Sequence, residues 1–384
     1  MRKLLRHTVL LLPLLAVGCG GLRIPPPFKA ESDSWGMFGR TPGRTNVAEQ
    51  GVEPPLKLAW EHDITSGMGA GSPLVIGNVV LATNLRGELH GIDAKTGKRI
   101  GWLNIGDAIK GSPAVDGNVL YIAIANSRES LVAYDLLDGK YLWKKEYGDL
   151  EVTPLFFNDR LYFGNTSGLF FCVDKETGDH DWRFRLSDNS TRKGIRSSAT
   201  VDGNLVMFGA EDGSIYALDA TTGAEAWSYN TGSPIFAAPA VINGTLFCGN
   251  STGTFFAINS QTGNVFWQFD AGASIYATPS FPENLVLIGT TAGKLHALNA
   301  NDGTLAWTTE LGSVINSSAV VSGNVAYVGT LKKELYAVQT TTGAILWKET
   351  LKGRVKTSPA IAGGKIFVAT DDKLLLAFTS KEQN

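Results

Sequence analysis

Tryptophan recurs along this chain with a period near forty residues, and no other feature so narrows what the chain can fold into. Trp60, Trp102, Trp143, Trp182, Trp227, Trp267, Trp307 and Trp347 are separated by 42, 41, 39, 45, 40, 40 and 40 residues. Seven of the eight follow a Thr-Gly or Asp-Gly pair, at Gly97, Gly139, Gly178, Gly223, Gly263, Gly303 and Gly343. The indole comes four residues after the glycine, except after Gly97, where it comes five after. A second marker keeps the same time. A small or hydroxyl residue with proline or alanine opens a β-rich segment at Ser72-Pro73, Ser112-Pro113, Thr153-Pro154, Ser198-Ala199, Ala238-Pro239, Thr278-Pro279, Ser318-Ala319 and Ser358-Pro359.

Each unit holds four short strands. In the fifth, Ala240-Val241-Ile242 is followed by an Asn243-Gly244 turn and Thr245 to Cys248. Strands from Thr254 to Ile258 and from Asn264 to Phe269 then flank the turn at Gly263. Asn-Gly and Thr-Gly supply the positive φ that tight hairpins need. The inner strands are apolar on both faces, as in Val119-Leu120-Tyr121-Ile122, which suits burial between neighbouring sheets. The fourth is more polar after its tryptophan, as in Trp143-Lys144-Lys145-Glu146, which suits an outer edge. The pattern predicts an all-β, eight-bladed β-propeller of four-stranded antiparallel sheets. The last unit ends at Leu374 to Phe378 without a tryptophan, whereas Trp60 in Leu56 to His62 precedes any complete unit. The N-terminal strand is therefore expected to close the ring as the outer strand of the eighth blade. Each indole is expected to wedge one blade against the next, its N–H satisfied by a carbonyl.

Composition narrows function by exclusion. Lys and Arg number 34 against 36 Asp and Glu, so there is no net basic field for a nucleic acid. At 43% hydrophobic the chain is not disordered. Cys19, Cys172 and Cys248 are too few and too scattered for a disulfide framework or a zinc site. The sequence lacks HExxH, CxxC, P-loop and GxSxG patterns. His90 and His296 hold the repeat place of Tyr216 and Tyr336 and read as packing residues; His62 and His180 have no partner at ligand spacing. The reading is of no catalytic residue, metal or cofactor, and of a monomeric propeller.

The first residues are an address. Arg2, Lys3 and Arg6 precede a short apolar run from Val9 to Val17, the pattern of a secretory signal over residues 1–18. Leu15-Ala16-Val17-Gly18-Cys19 resembles a bacterial lipobox, which implies diacylglycerol attachment and palmitoylation at Cys19. Gly20 follows, where an aspartate would retain a lipoprotein at the inner membrane, so the resemblance implies the outer membrane and its periplasmic face. Residues 19–53, with Pro25-Pro26-Pro27, read as a semi-stiff tether between the lipid and the propeller at 54–380, with a tail at 381–384. Membrane attachment is expected through the lipid alone.

The run Gly213-Ser214-Ile215-Tyr216-Ala217-Leu218-Asp219-Ala220 through Thr222-Gly223 to Trp227 resembles the repeats of the PQQ-like β-propeller family, as does the opening Trp35-Gly36-Met37-Phe38-Gly39-Arg40. One branch of that family, the quinoprotein dehydrogenases, carries adjacent cysteines over the quinone and Glu, Asn and Asp around calcium. Here Cys172 and Cys248 fall in different repeats and read as small buried hydrophobes. The other branch, the lipoprotein scaffolds of outer-membrane barrel assembly, matches this chain in length, repeat number and leader. That resemblance implies protein partners, including the barrel-assembly subunit, bound in part through a loop in the middle of the chain. The corresponding place is the long gap before the fourth blade, whose candidate contacts are Arg192, Lys193, Ile195 and Arg196. A small quinone-dependent oxidoreductase, or a propeller with an unrelated protein partner, are the alternatives.

Overall fold

The computed structural model describes residues 21–26, 28–29, 31–49, 51–187 and 194–381. Eight antiparallel sheets follow one another in chain order, with no helix among the described residues. Blade 1 comprises Leu74–Ile76, Val79–Thr83, Glu88–Asp93 and Arg99–Asn104. Blades 2, 3, 4 and 5 repeat that plan and begin at Ala114, Leu155, Thr200 and Ala240. In blade 6 the innermost strand shrinks to one bridge between Ser280 and Leu287, because Pro282 stands at the place where Ile242 pairs with Thr245 in blade 5 and cannot donate to a ladder. Blade 7 begins at Val320 and blade 8 at Ala360. In blade 8, Leu56–Asp63 lies antiparallel on Leu374–Ser380, with Trp60 opposite Ala377, so the N-terminal strand closes the ring as expected.

The blades stack on apolar second and third strands buried on both faces. At six junctions an indole N–H reaches a backbone carbonyl three residues before the turn glycine of the next blade. Trp60, Trp143, Trp182, Trp227, Trp267 and Trp307 donate to Ala94, Lys175, Ala220, Ser260, Ala300 and Thr340 at 2.8 to 3.1 Å. The ring itself lies flat on the turn glycine. At Gly223, where φ is +73°, an added Cβ would fall 2.6 Å from the Trp182 indole, so the turn both needs glycine and has room for nothing else.

The wedge expected of Trp102 is not there. The extra residue after Gly97 puts Gly101 opposite Gly91, the pairing that Trp227 makes with Ala217 in blade 4, and Trp102 turns outward, 44% exposed. Its place between blades 1 and 2 is taken by the chain's own N-terminal segment. Leu22 packs between Gly91 and Gly101, and Ile24 N–H donates to Leu136 O at 2.9 Å. Arg23 lies over Gly139 and donates through Nε to Asp138 O, while the Tyr134 hydroxyl donates to Leu22 O.

The tether expected over 19–53 is likewise corrected across its described residues. From the junction of blades 1 and 2 the chain runs inward, and residues 33–48 stopper one end of the central channel. Trp35 is fully buried and exchanges both backbone hydrogen bonds with Val75 of blade 1. Gly43 O accepts from Val241 N–H of blade 5, and Pro42 O accepts from the Thr200 hydroxyl of blade 4. Asn46 reaches Pro279 O of blade 6, and Val47–Ala48 adds a parallel strand to Val320–Ser322 of blade 7. These are long-range bonds to inner strands, a kind that local composition does not encode.

Candidate functional site: the open mouth of the channel

At the opposite end of the channel, one residue per blade stands two places before each small-residue pair. The eight are Ala70, Lys110, Glu151, Arg196, Phe236, Tyr276, Asn316 and Lys356, and with Met68 and Leu85 they surround an open cavity of about 410 Å³. The pair positions form the next layer down. Backbone N–H groups of Ser72, Ser112 and Thr153 donate to the hydroxyls of Ser112, Thr153 and Ser198, each one blade further on, at 2.8 to 2.9 Å. Thr278 and Ser318 donate in the same way to Ser318 and Ser358 at 3.1 and 3.0 Å, and Ser358 N–H reaches Gly71 O. This girdle of blade-to-blade bonds is interrupted at Ala238, which has no hydroxyl. It narrows the channel to a space of about 70 Å³ beside Phe38 of the stopper.

Behind Phe38 lies Arg44, fully buried, with Nε donating to Ala199 O at 2.6 Å and one terminal nitrogen to Phe38 O at 2.9 Å. Burial pushes its guanidinium down to about 9, still well above neutrality, so a charge is held there by carbonyl oxygens.

The mouth is chemically divided. On one side Lys110 Nζ and Arg196 Nε donate to the two oxygens of Glu151 at 2.7 and 2.9 Å, and Arg196 also pairs with Glu211. Lys356 pairs with Asp371 at 3.4 Å. Between them Phe236 and Tyr276 lie with ring centroids 5.6 Å apart, and Tyr276 is 39% exposed. Arg196 thus belongs to the mouth. Ile195 does not meet a partner from there: it is fully buried against Gly164, the repeat place that Ile235 takes against Gly209 and Ile275 against Gly249. The side chain beside Arg196 points into the blade, so the expected contact at Ile195 is withdrawn. Arg192, Lys193 and Cys19 lie outside the described residues. The sequence reading missed the other seven mouth residues, although their constant offset from the small-residue pairs was available as a signal.

Several titratable groups elsewhere are buried in the blades or hydrogen-bonded to them. His90 is buried beside Glu88 at 3.4 Å, and His296 is buried with Nδ1 2.9 Å from the Thr308 hydroxyl. His62 Nδ1 meets Gly97 O. Cys172 and Cys248 are buried inside blades 3 and 5, and burial pushes both thiols up to about 12. No group of three or more His, Cys, Asp or Glu residues with metal-binding geometry occurs among the described residues.

A closed ring of eight four-stranded blades, indole-wedged at a forty-residue period around a mouth built from inter-blade loops, defines the PQQ-like repeat propellers. The family described as outer membrane protein assembly factor BamB matches residues 53–191, 127–268, 171–320 and 292–383, and the chain belongs to it. BamB of Burkholderia pseudomallei is 26% identical over 170 residues, 42% of this chain and 44% of that protein. The dehydrogenase subunit of the quinone alcohol dehydrogenase of Gluconobacter oxydans is 28% identical over 189 residues, 46% of this chain and 21% of that one. The matched stretches therefore span less than half of either relative. The crystal structure of BamB from Moraxella catarrhalis superposes with a TM-score of 0.73 at 20% identity, covering 84% of this chain and 99% of that one.

Proposed function

We propose that this protein is a non-catalytic scaffold on the periplasmic face of the outer membrane, which binds protein partners during insertion of β-barrel proteins. In this reading residues 1–18 are a cleaved signal, Cys19 carries the lipid, 54–380 form the scaffold and 381–384 are a tail. The observation that supports it is the mouth. Its charged half and its aromatic pair sit side by side on a rigid ring, while residues 33–48 stopper the channel behind them. An exposed tyrosine beside a pre-paired carboxylate and arginine offers an apolar anchor rimmed by fixed hydrogen-bonding groups, the layout of a protein-docking patch.

The quinoprotein relative favours a second reading, a quinone-dependent oxidoreductase. The donor set here does not fit it. The resemblance calls for adjacent cysteines over the quinone, and Cys172 and Cys248 are buried within separate blades. It calls for Glu, Asn and Asp around calcium, and the single carboxylate of the mouth ring, Glu151, is already held by Lys110 and Arg196.

A photo-crosslinking residue at Tyr276, expressed in the native envelope, tests the proposal. Crosslinks to the barrel-assembly subunit are expected, and none from the same probe at Phe266 on the outer rim. Crosslinks only to an unrelated envelope protein, or stoichiometric binding of added quinone with calcium, would overturn it.

A further inference from the structure

The junction between blades 1 and 2 bears on how the molecule stands at the membrane. The chain is seated on the propeller from Gly21 onward: a Cβ on Gly21 would collide with the Tyr134 hydroxyl, and Leu22 and Ile24 are both buried. Cys19 and Gly20 are the only residues between that seat and the acyl chains of a lipidated Cys19. Two extended residues span at most ~7 Å. A lipid attached so close to a docked segment cannot hold a propeller at a distance.

We infer that the outer rim at blades 1 and 2 rests directly on the lipid bilayer, with the propeller standing edge-on to the membrane. This rests on the lipidation of Cys19 in the proposed function. The rim suits the contact. Trp102 and Ile100 on the outer strand of blade 1 are exposed, as are Leu142 on the outer strand of blade 2 and Leu137 in its adjoining turn. Lys98 and Arg99 lie exposed beside Ile100. An outward tryptophan among aliphatic and basic side chains matches the water–lipid interface, where indoles settle and cations meet anionic headgroups. Other blades expose one or two large apolar residues on the outer edge or none, as with Phe266 on blade 5, but only this junction holds the chain that leads to the lipid. The extra residue after Gly97 turns Trp102 outward and leaves Gly91 and Gly101 bare for Leu22, so one register shift both seats residues 22–24 and frees the indole.

The test uses full-length, acylated protein in vesicles of phosphatidylethanolamine and phosphatidylglycerol, with a spin label at Leu142→Cys or, for comparison, Phe266→Cys. Cys172 and Cys248 are buried and remain unlabelled. The label at 142 is expected to be several-fold less accessible to a water-soluble nickel chelate than the label at 266, and more accessible to oxygen. A Gly-Ser insertion of about six residues between Gly20 and Gly21 keeps the acyl group and the docked strap but lengthens the link. It is expected to bring position 142 toward the aqueous values of 266. Equal accessibility in the acylated parent, or protection at 142 unchanged by the insertion, would overturn the inference while leaving the scaffold reading intact. An N-terminal peptide whose mass shows no acyl group on Cys19 would overturn this inference and the anchor together.

Discussion

Ile24 N–H donates to Leu136 O at 2.9 Å, and Leu136 holds the repeat position whose carbonyl takes an indole N–H at six other blade junctions. The leader thus supplies both parts of a missing tryptophan, the volume through Leu22 and the hydrogen bond through Ile24. Leu22→Ala removes the volume at a site with 1% exposure. It should destabilise by ~2–5 kcal/mol, as buried leucine truncations do. The measurement is the chemical-denaturation midpoint of the purified protein, and a midpoint equal to that of the parent would sink the wedge role of the leader.

Tryptophans that look alike in the sequence should behave differently. Trp267 lies against the turn of blade 6 and donates to Ala300 O, whereas Trp102 faces outward. Trp267→Ala is expected to lose ~3–5 kcal/mol. Trp102→Ala should stay within ~0.5 kcal/mol of the parent in detergent-free solution, as surface changes do. Similar losses from the two would mean that blades 1 and 2 are wedged by the indole after all.

These contrasts show where the sequence was informative. The eight blades, their order and the closing strand follow from short inner strands apolar on both faces and from the forty-residue recurrence of turn glycine and tryptophan, all local features repeated often enough to reinforce one another. The Trp102 exception had a local trace, the fifth residue after Gly97, but its meaning depended on Leu22, which is eighty residues away. The channel stopper had no trace of that kind. Asn46, Gly43 and Trp35 bond to inner strands of blades that begin about 40 to 275 residues later, and proline-containing composition there reads as a tether. In the mouth, the residue type varies from blade to blade and only the offset is constant, so neither motif nor periodicity in hydrophobicity marks it.

The girdle offers a gain instead of a loss. Ser198 stands where five other repeats, at Ser72, Ser112, Thr153, Thr278 and Ser318, donate to a hydroxyl one blade on, and its partner position is Ala238, 5% exposed. Ala238→Ser supplies the missing acceptor and should stabilise by ~0.5–1.5 kcal/mol. Ser318→Ala removes one at the equivalent place and, by leaving the buried Thr278 N–H unpaired, should cost ~1–3 kcal/mol. Opposite shifts of the thermal midpoint are expected; a destabilised Ala238→Ser variant would mean that the hydroxyls merely fill space.

Acid should loosen the ring before its carboxylates titrate. Burial holds His90 below the usual imidazole range, with Glu88 partly opposing and His62 and Arg99 adding to the depression; burial and then Lys294 do the same to His296. Each is a base with a lowered pKa in the fold, so below its unfolded value of about 6.5 the unfolded chain binds the extra proton and the folded chain resists it. Stability is therefore fully present above that pH and declines as the pH falls toward 5. Glu88 is itself held below the normal carboxylate range and does not titrate in this window. His296→Tyr installs the residue that Tyr216 and Tyr336 occupy in their repeats, and His90→Gln keeps a neutral polar group. The double variant should show a flatter melting midpoint between pH 7.5 and 5 than the parent, read by scanning calorimetry in buffers of matched ionic strength. An equally steep decline in both would assign the acid sensitivity to other groups.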